Sequence, residues 1–222
     1  MANTLCSTII ARANTLLQDT NLRWTESEKL DWLNESYRAI ALLRPDASMK
    51  TASHQCSGTS KQVLTTDGSM RLRSVTRNLG ANGTTPGRAI RHEQQRVLDD
   101  QIPSWHTVAA ATGAGAQFYI HDPMNPLVFY LYPTPPSGWY VETVYTAAPA
   151  TNTTLNDPIA LDEIYVPCIL DYVCYRAYSK DAEYTANAQL AQVYYQTFVS
   201  KLQTNMQVAV AGAPADDGKV TV

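Results

Sequence analysis

The sequence predicts an α+β protein: an antiparallel four-helix bundle built from both chain ends, an inserted small antiparallel β domain and an extended C-terminal tail. Three observations carry that expectation. Apolar residues recur at three- and four-residue steps over residues 3–45 and again over 157–205. Between these stretches lie short runs rich in β-branched and aromatic residues, separated by Gly, Pro, Asn and Asp. After Met206 the periodicity stops, and small residues punctuated by Gly212, Pro214 and Gly218 follow. Helical stripes at the two ends can be buried only against each other. The expected divisions are 1–48 and 157–205 for the two halves of the bundle, 49–156 for the β domain and 206–222 for the tail.

In the first helix, Leu5, Ile9, Ala13 and Leu16 form one apolar stripe, which Asp19 to Arg23 interrupts. Thr25-Glu26-Ser27-Glu28 is a capping box that opens the second helix, with Leu30, Leu33, Tyr37, Ile40 and Arg44 on one face and Pro45 as its stop. Asp67-Gly68 signals a hairpin between Gln62–Thr66 and Met70–Val75. Arg91 to Gln101 has room for one or two helical turns. Phe118–His121, Leu127–Tyr132 and Trp139–Thr146 read as further strands, together a small antiparallel sheet, sandwich or barrel. In the third bundle helix, Leu161, Tyr165, Cys168, Tyr172 and Tyr175 keep one face. Ile164, Val166, Ile169, Leu170, Val173 and Ala177 add a second, which makes it central, and Pro167 delays or bends its first turns. Asp181 is expected to cap the last helix, where Tyr184, Ala188, Ala191, Tyr195, Phe198 and Leu202 step along one side.

Composition excludes several classes. Among 222 residues, 17% are charged and the formal charge is −3, so neither an acidic disordered chain nor a basic, free-standing nucleic-acid binder is expected. Thirteen Tyr and four Trp against three Phe suit surfaces that are buried in assemblies as well as in cores. Cys6, Cys56, Cys168 and Cys174 lack zinc or disulfide-framework spacing, so reduced thiols are expected. With no signal-peptide pattern and no long apolar run, the expectation is a protein made in a reducing cytoplasm, with no membrane partner.

Each candidate for chemistry has a plainer reading. His121-Asp122 offers an acid/base pair, but strand neighbours point to opposite faces and Asp122 precedes Pro123 as a turn residue. Ser104-Trp105-His106 pairs a nucleophile with a base, without the strand–Gly-x-Ser-x-Gly–helix elbow. Gly113-Ala114-Gly115 has the composition of a phosphate cradle, but a strand follows it rather than a helix N-terminus. Asp99-Asp100, Asp162-Glu163 and Asp216-Asp217 are adjacent carboxylates without ligand periodicity. Arg71 and Arg73 share one face of a strand: a phosphate-facing ridge, or a solvated strand face. In the tail, Val208, Val210, Val220 and Val222 alternate as in a segment that docks in a groove or on a sheet edge. No catalytic, cofactor or metal site is expected.

Three strings carry a family resemblance. Arg23-Trp24-Thr25-Glu26-Ser27-Glu28-Lys29-Leu30-Asp31-Trp32-Leu33-Asn34-Glu35 resembles the second helix of the head-to-tail adaptor (connector) proteins of tailed bacteriophages, the short-tailed podovirus type above all. Ala160 to Tyr165 and Asp171 to Asp181 look like that family's third helix and turn, and Ala186 to Phe198 like its Ala-rich continuation. Phe129-Tyr130-Leu131-Tyr132-Pro133-Thr134-Pro135-Pro136 resembles its β insertion. The resemblance is weakest from Met49 to Ile102.

The resemblance implies a structural virion protein rather than an enzyme, with no cofactor. Its implied partners are the portal protein, identical subunits in a ring of twelve, a tail nozzle or tail tube protein, and genomic DNA that passes without sequence-specific binding. The implied place is the head–tail junction of the virion. Valines 208, 210, 220 and 222 are then the docking residues toward portal or neighbour. Two other classes stay open from the residues alone. One is a tail-associated receptor- or glycan-binding module using the aromatic strands from Phe118 to Thr146. The other is a wall hydrolase using Asp122 or Glu142.

Overall fold

The computed structural model describes residues 4–211, an α+β chain with five helices and two small sheets. In chain order the elements are α1 (Cys6–Leu17), α2 (Glu26–Leu43), β1 (Met49–Gln55), β2 (Lys61–Val63), β3 (Ser69–Gly80), β4 (Arg91–His92), α3 (Gln95–Gln101), β5 (Phe118–His121), β6 (Val128–Tyr132), β7 (Tyr140–Ala147), α4 (Val166–Lys180) and α5 (Thr185–Ala211). Residues 48–148 form one compact unit, and the segments on either side of it form the other.

In the helical unit, α4 packs against α1, α2 and α5, and all four helices contribute to one apolar core. Cys6, Ile9, Ala13 and Leu17 supply it from α1, Trp32, Leu33, Tyr37 and Ile40 from α2, Cys168, Ile169, Val173 and Ala177 from α4, and Phe198 and Leu202 from α5. The expected α1 stripe keeps Ile9 and Ala13 but differs at its ends: Leu5 and Leu16 are exposed, while Cys6 and Leu17 are buried. Cys6 packs as a small hydrophobe, which a count of large aliphatics overlooks. The two chain segments are joined by backbone. The first amides of α1, which no side chain caps, donate from Cys6 to Asp157 O (3.0 Å) and from Ser7 to Leu155 O (2.9 Å). Asn34 and Asn152 exchange amide hydrogen bonds: Asn34 Nδ2 donates to Asn152 O (3.0 Å), and Asn152 N donates to Asn34 Oδ1 (2.9 Å).

Thr25 and Glu28 form the capping box that their spacing requires. Pro167 sits in the first turn of α4, where the missing N–H costs nothing, and a 3₁₀ turn at Glu163–Tyr165 leads into it. Ile164 in that turn is exposed, as are Tyr184 and Tyr195 around α5. Asp181 ends α4 rather than capping α5, and its carboxylate pairs with Arg23. The last helix does not stop at Leu202 or Asn205. Gln207-Val208-Ala209-Val210-Ala211 holds no breaker, so α5 runs on to Ala211, just before Gly212. Val208 and Val210 thus lie in a helix and not in an extended tail, a correction of the alternation reading. Val220 and Val222 lie outside the described residues.

The β unit holds a three-stranded antiparallel sheet, order β1-β7-β3, and a four-stranded sheet, order β2-β6-β5-β4. Leu72, Val75, Tyr119, Phe129, Leu131, Val141 and Tyr145 from both sheets share its main core. Three expectations are corrected. Asp67-Gly68 does reverse the chain, with Gly68 at φ 72°, but β2 pairs with β6 and β3 with β7, so no hairpin forms. The fold is not wholly antiparallel, because β4 runs parallel to β5. β1 appears where no strand was expected, because Met49–Gln55 buries only His54 and offers little apolar alternation.

Candidate functional site

The arginine ridge is set by irregular pairing. β3 slips against β7 at four places, between Ser69/Arg71, Leu72/Ser74, Val75/Arg77 and Asn78/Gly80. Each slip inserts a residue and re-aims the side chains beyond it. Leu72 and Val75 therefore both enter the core, while Arg71 and Arg73 are exposed on the same strand. Arg77 is spent on Glu142, whose carboxylate it meets at 2.8 Å. The Arg77 guanidinium and the Thr76 hydroxyl hold the Glu142 carboxyl below its ordinary range, the opposite of what a general acid needs.

The other chemical candidates resolve into structure. Asp122 Oδ1 accepts from Met124 N (2.9 Å) at an exposed turn, and His121 Nδ1 donates to Val128 O (3.0 Å). Ser104 does not meet His106. The His106 Nδ1 lies 3.0 Å from the Oγ of buried Ser60, its ring is stacked on buried Trp105, and no carboxylate orients it. Among the described residues no group of three His, Cys, Asp or Glu side chains could hold a metal ion. His54 is buried against Phe129, and burial pushes its imidazole pKa down. Burial likewise raises the thiols of Cys56, to about 12, and Cys168, to about 11, away from reactive thiolates.

Gly113-Ala114-Gly115 lines a cavity of about 290 Å³ together with Asn78, Arg88 and Trp139. Its glycine has a packing cause. Asn78 is 3% exposed; its Nδ2 donates to Arg88 O (3.0 Å) and Ala116 O (2.8 Å), and its Oδ1 accepts from Trp139 Nε1 (3.1 Å). This amide fills the space in which a side chain at residue 115 would stand. The aromatic strands are turned inward as well. Tyr119, Phe129 and Tyr145 are buried in the core, and Tyr130 and Tyr132 pack edge-on to Trp105.

What the helical unit offers is a charge-poor surface along α5. α5 has 27 residues, and Lys201 is its single Lys, Arg, Asp or Glu. Lys201 is turned back onto buried Asp171. Leu190, Val193 and Tyr195 meet solvent on the same helix, and Tyr184 does so just before it. This surface was missed in the sequence, because the same tyrosines and leucines complete a core stripe when only periodicity is counted. The signal that could have found it is the lack of charge over a long amphipathic helix, since solvated helix faces ordinarily carry charged residues. No described helix is long and apolar enough to cross a membrane.

No curated protein matches the chain. The family model described as SU10 adaptor protein matches residues 4–216, which spans both halves of the helical unit and the β unit between them. With both units covered by that match, the chain belongs to the SU10 adaptor protein family and is a phage head-to-tail adaptor.

Proposed function

We propose that the protein forms a ring of identical subunits, twelve in number, beneath the portal after DNA packaging. There it lines the channel for the genome and docks the tail nozzle or tail tube protein at the head–tail junction of the virion. In this reading the four long helices act as one antiparallel bundle whose outer faces make the lateral contacts. The observation that supports it most is α5: a 27-residue helix with no free charge that leaves Leu190, Val193 and Tyr195 to solvent. Neutral, aromatic- and aliphatic-rich surface is what recurs in the centres of subunit interfaces. A closed ring needs two unlike faces per subunit.

Lateral contacts that are weak in isolation, with the portal supplying effective concentration, avoid premature rings. The expected result is a monomer at micromolar protein in mass photometry, and a closed ring by electron microscopy once purified portal is added. Free protein that binds portal only as single copies counts against the ring. Arg71 and Arg73 belong to this proposal as a ridge toward passing DNA phosphate, without base readout. Arg71→Ala with Arg73→Ala should then lower duplex binding by the assembled ring alike for every sequence and flatten its salt dependence by about two charges for each subunit that touches the duplex. An unchanged salt slope would leave the ridge a solvated strand face.

A further inference from the structure

The side of β1 that faces away from β7 is bare. Cys56 N donates to Trp139 O (2.7 Å) and Gly138 N to Cys56 O (3.0 Å), which sets the phase of the ladder. The pairs His54–Val141, Ala52–Thr143 and Lys50–Tyr145 therefore turn their backbone groups toward each other. Met49, Thr51, Ser53 and Gln55 turn theirs outward. All four are exposed, and no described residue hydrogen-bonds to their backbone. The far side of β3 is treated differently. Asn78 N donates to Arg88 O (3.0 Å), Ile90 N to Thr76 O (2.9 Å) and Leu72 N to Pro126 O (2.8 Å), so a neighbouring segment covers that strand. Natural sheets guard long edges with Pro, bulges or several charges. β1 runs seven residues with none of these except Lys50.

We propose that residues 219–222 of a second copy, Lys219-Val220-Thr221-Val222, add to β1 as an edge strand in the assembled ring. The proposal rests on the ring reading and names one of its lateral contacts. Its occupant follows from the length, composition and charge of the chain beyond α5. Leu202 is buried in the core, and α5 continues nine residues beyond it to Ala211, about 13 Å further at 1.5 Å per residue. Residues 212–222, which lie outside the described residues, have a reach of at most about 36–40 Å when extended. Val-Thr-Val is the β-branched composition that strand positions favour. Backbone pairing supplies the affinity in such an addition, and alternate side chains supply the choice of partner. Asp216-Asp217 stands just before the string, while Lys50 on β1 is exposed with no ion-pair partner among the described residues.

Cysteine pairing between full-length chains tests this, since the four native thiols are buried. A chain carrying Ser53→Cys is mixed with one carrying Thr221→Cys, bound to portal and oxidised. A disulfide-linked dimer containing one chain of each kind is expected, well above a mixture in which exposed Leu22→Cys replaces Ser53→Cys. Adding Thr51→Pro to the first chain removes an outward N–H that β7 does not use, so the circular dichroism spectrum stays the same and the dimer falls to the control yield. Rings that form without the cross-link overturn the strand addition and leave the ring standing. In a separate sample of a chain carrying both Ser53→Cys and Thr221→Cys, a link found only within single chains overturns it too. If portal-bound protein is not a ring, the ring reading fails, and the same mixture at high protein concentration decides the strand: linked dimers uphold it, their absence overturns it.

Discussion

Lys29→Met should destabilise the helical unit by about 3–5 kcal/mol, the range for removing one partner of a buried ion pair. Lys29 is 0% exposed in the second turn of α2. Its ammonium donates to Asp19 Oδ2 (2.9 Å), to Asn21 Oδ1 (2.8 Å) and to Asn14 Oδ1, so all three protons are placed. These acceptors lie on α1 and on the turn that follows, where Gln18 and Asn21 take left-handed backbone conformations. Asp19 also receives the amides of Leu22, Arg23 and Trp24, so a single carboxylate orders the turn and Lys29 neutralises it. Without the ammonium, the carboxylate is buried and unpaired. The double variant Lys29→Met/Asp19→Asn should therefore lose less than the single one, because no orphan charge remains. Urea unfolding followed by far-ultraviolet circular dichroism measures both. A single-variant cost below about 1 kcal/mol would show that the network is not held as described.

The same pair fixes an acid limb. Burial opposes ionisation of Asp19, but Lys29 and the backbone amides outweigh it and hold the carboxyl at about 2. An unfolded Asp titrates near 3.9. The folded value is depressed, so the stabilisation is complete above about pH 4 and is lost as pH falls through about 2, roughly 2 kcal/mol in all. In Asp19→Asn this part of the acid dependence should be missing.

The residues that were legible in the sequence are those whose partners lie close in the chain. Thr25 and Glu28 cap α2 because both halves of the box lie within one turn. The stop at Pro45 and the strand Phe118–His121 are equally local. Lys29 was not legible as a core residue, because what permits its burial comes from Asn14, Asp19 and Asn21 on another element. Asp67-Gly68 gave the reversal and not the pairing, since turn chemistry sets where a chain bends rather than which strand it then meets. Arg71 and Arg73 are both exposed, but the slip between Leu72 and Ser74 breaks the period of two at Arg73. The bulges, which no residue announces, put Leu72 and Val75 inward together. β1 is held by β7, about ninety residues later, and carries almost no apolar signal of its own. The surface of α5 needed its neighbours to be known before its unburied residues could be told from its buried ones.

Gly115→Ala should cost the β unit about 3–4 kcal/mol, more than any glycine replacement justified by backbone freedom alone. Gly115 has no left-handed φ, so the requirement is space. A Cβ there would stand 1.8 Å from Asn78 Oδ1, 2.5 Å from its Cγ and 2.6 Å from Trp139 Nε1. Asn78 cannot swing aside without cost, because its amide closes three hydrogen bonds, two of them to the Arg88 and Ala116 carbonyls. The expected loss combines overpacking, about 1–3 kcal/mol, with desolvated groups left unpaired at about 1–3 kcal/mol each. A double-mutant cycle identifies the cause. Asn78→Ala removes the carboxamide that the new methyl group strikes, so Gly115→Ala in that background should cost at least about 1 kcal/mol less than in the native chain. The residual cost reports Trp139, which stays in place. If the two changes add within about 0.5 kcal/mol, Gly115 is required for some reason other than the Asn78 side chain. Thermal unfolding in a background with Trp24→Phe and Trp32→Phe, followed by the near-ultraviolet tryptophan signal, leaves Trp105 and Trp139, the two tryptophans of residues 48–148, to report the β unit.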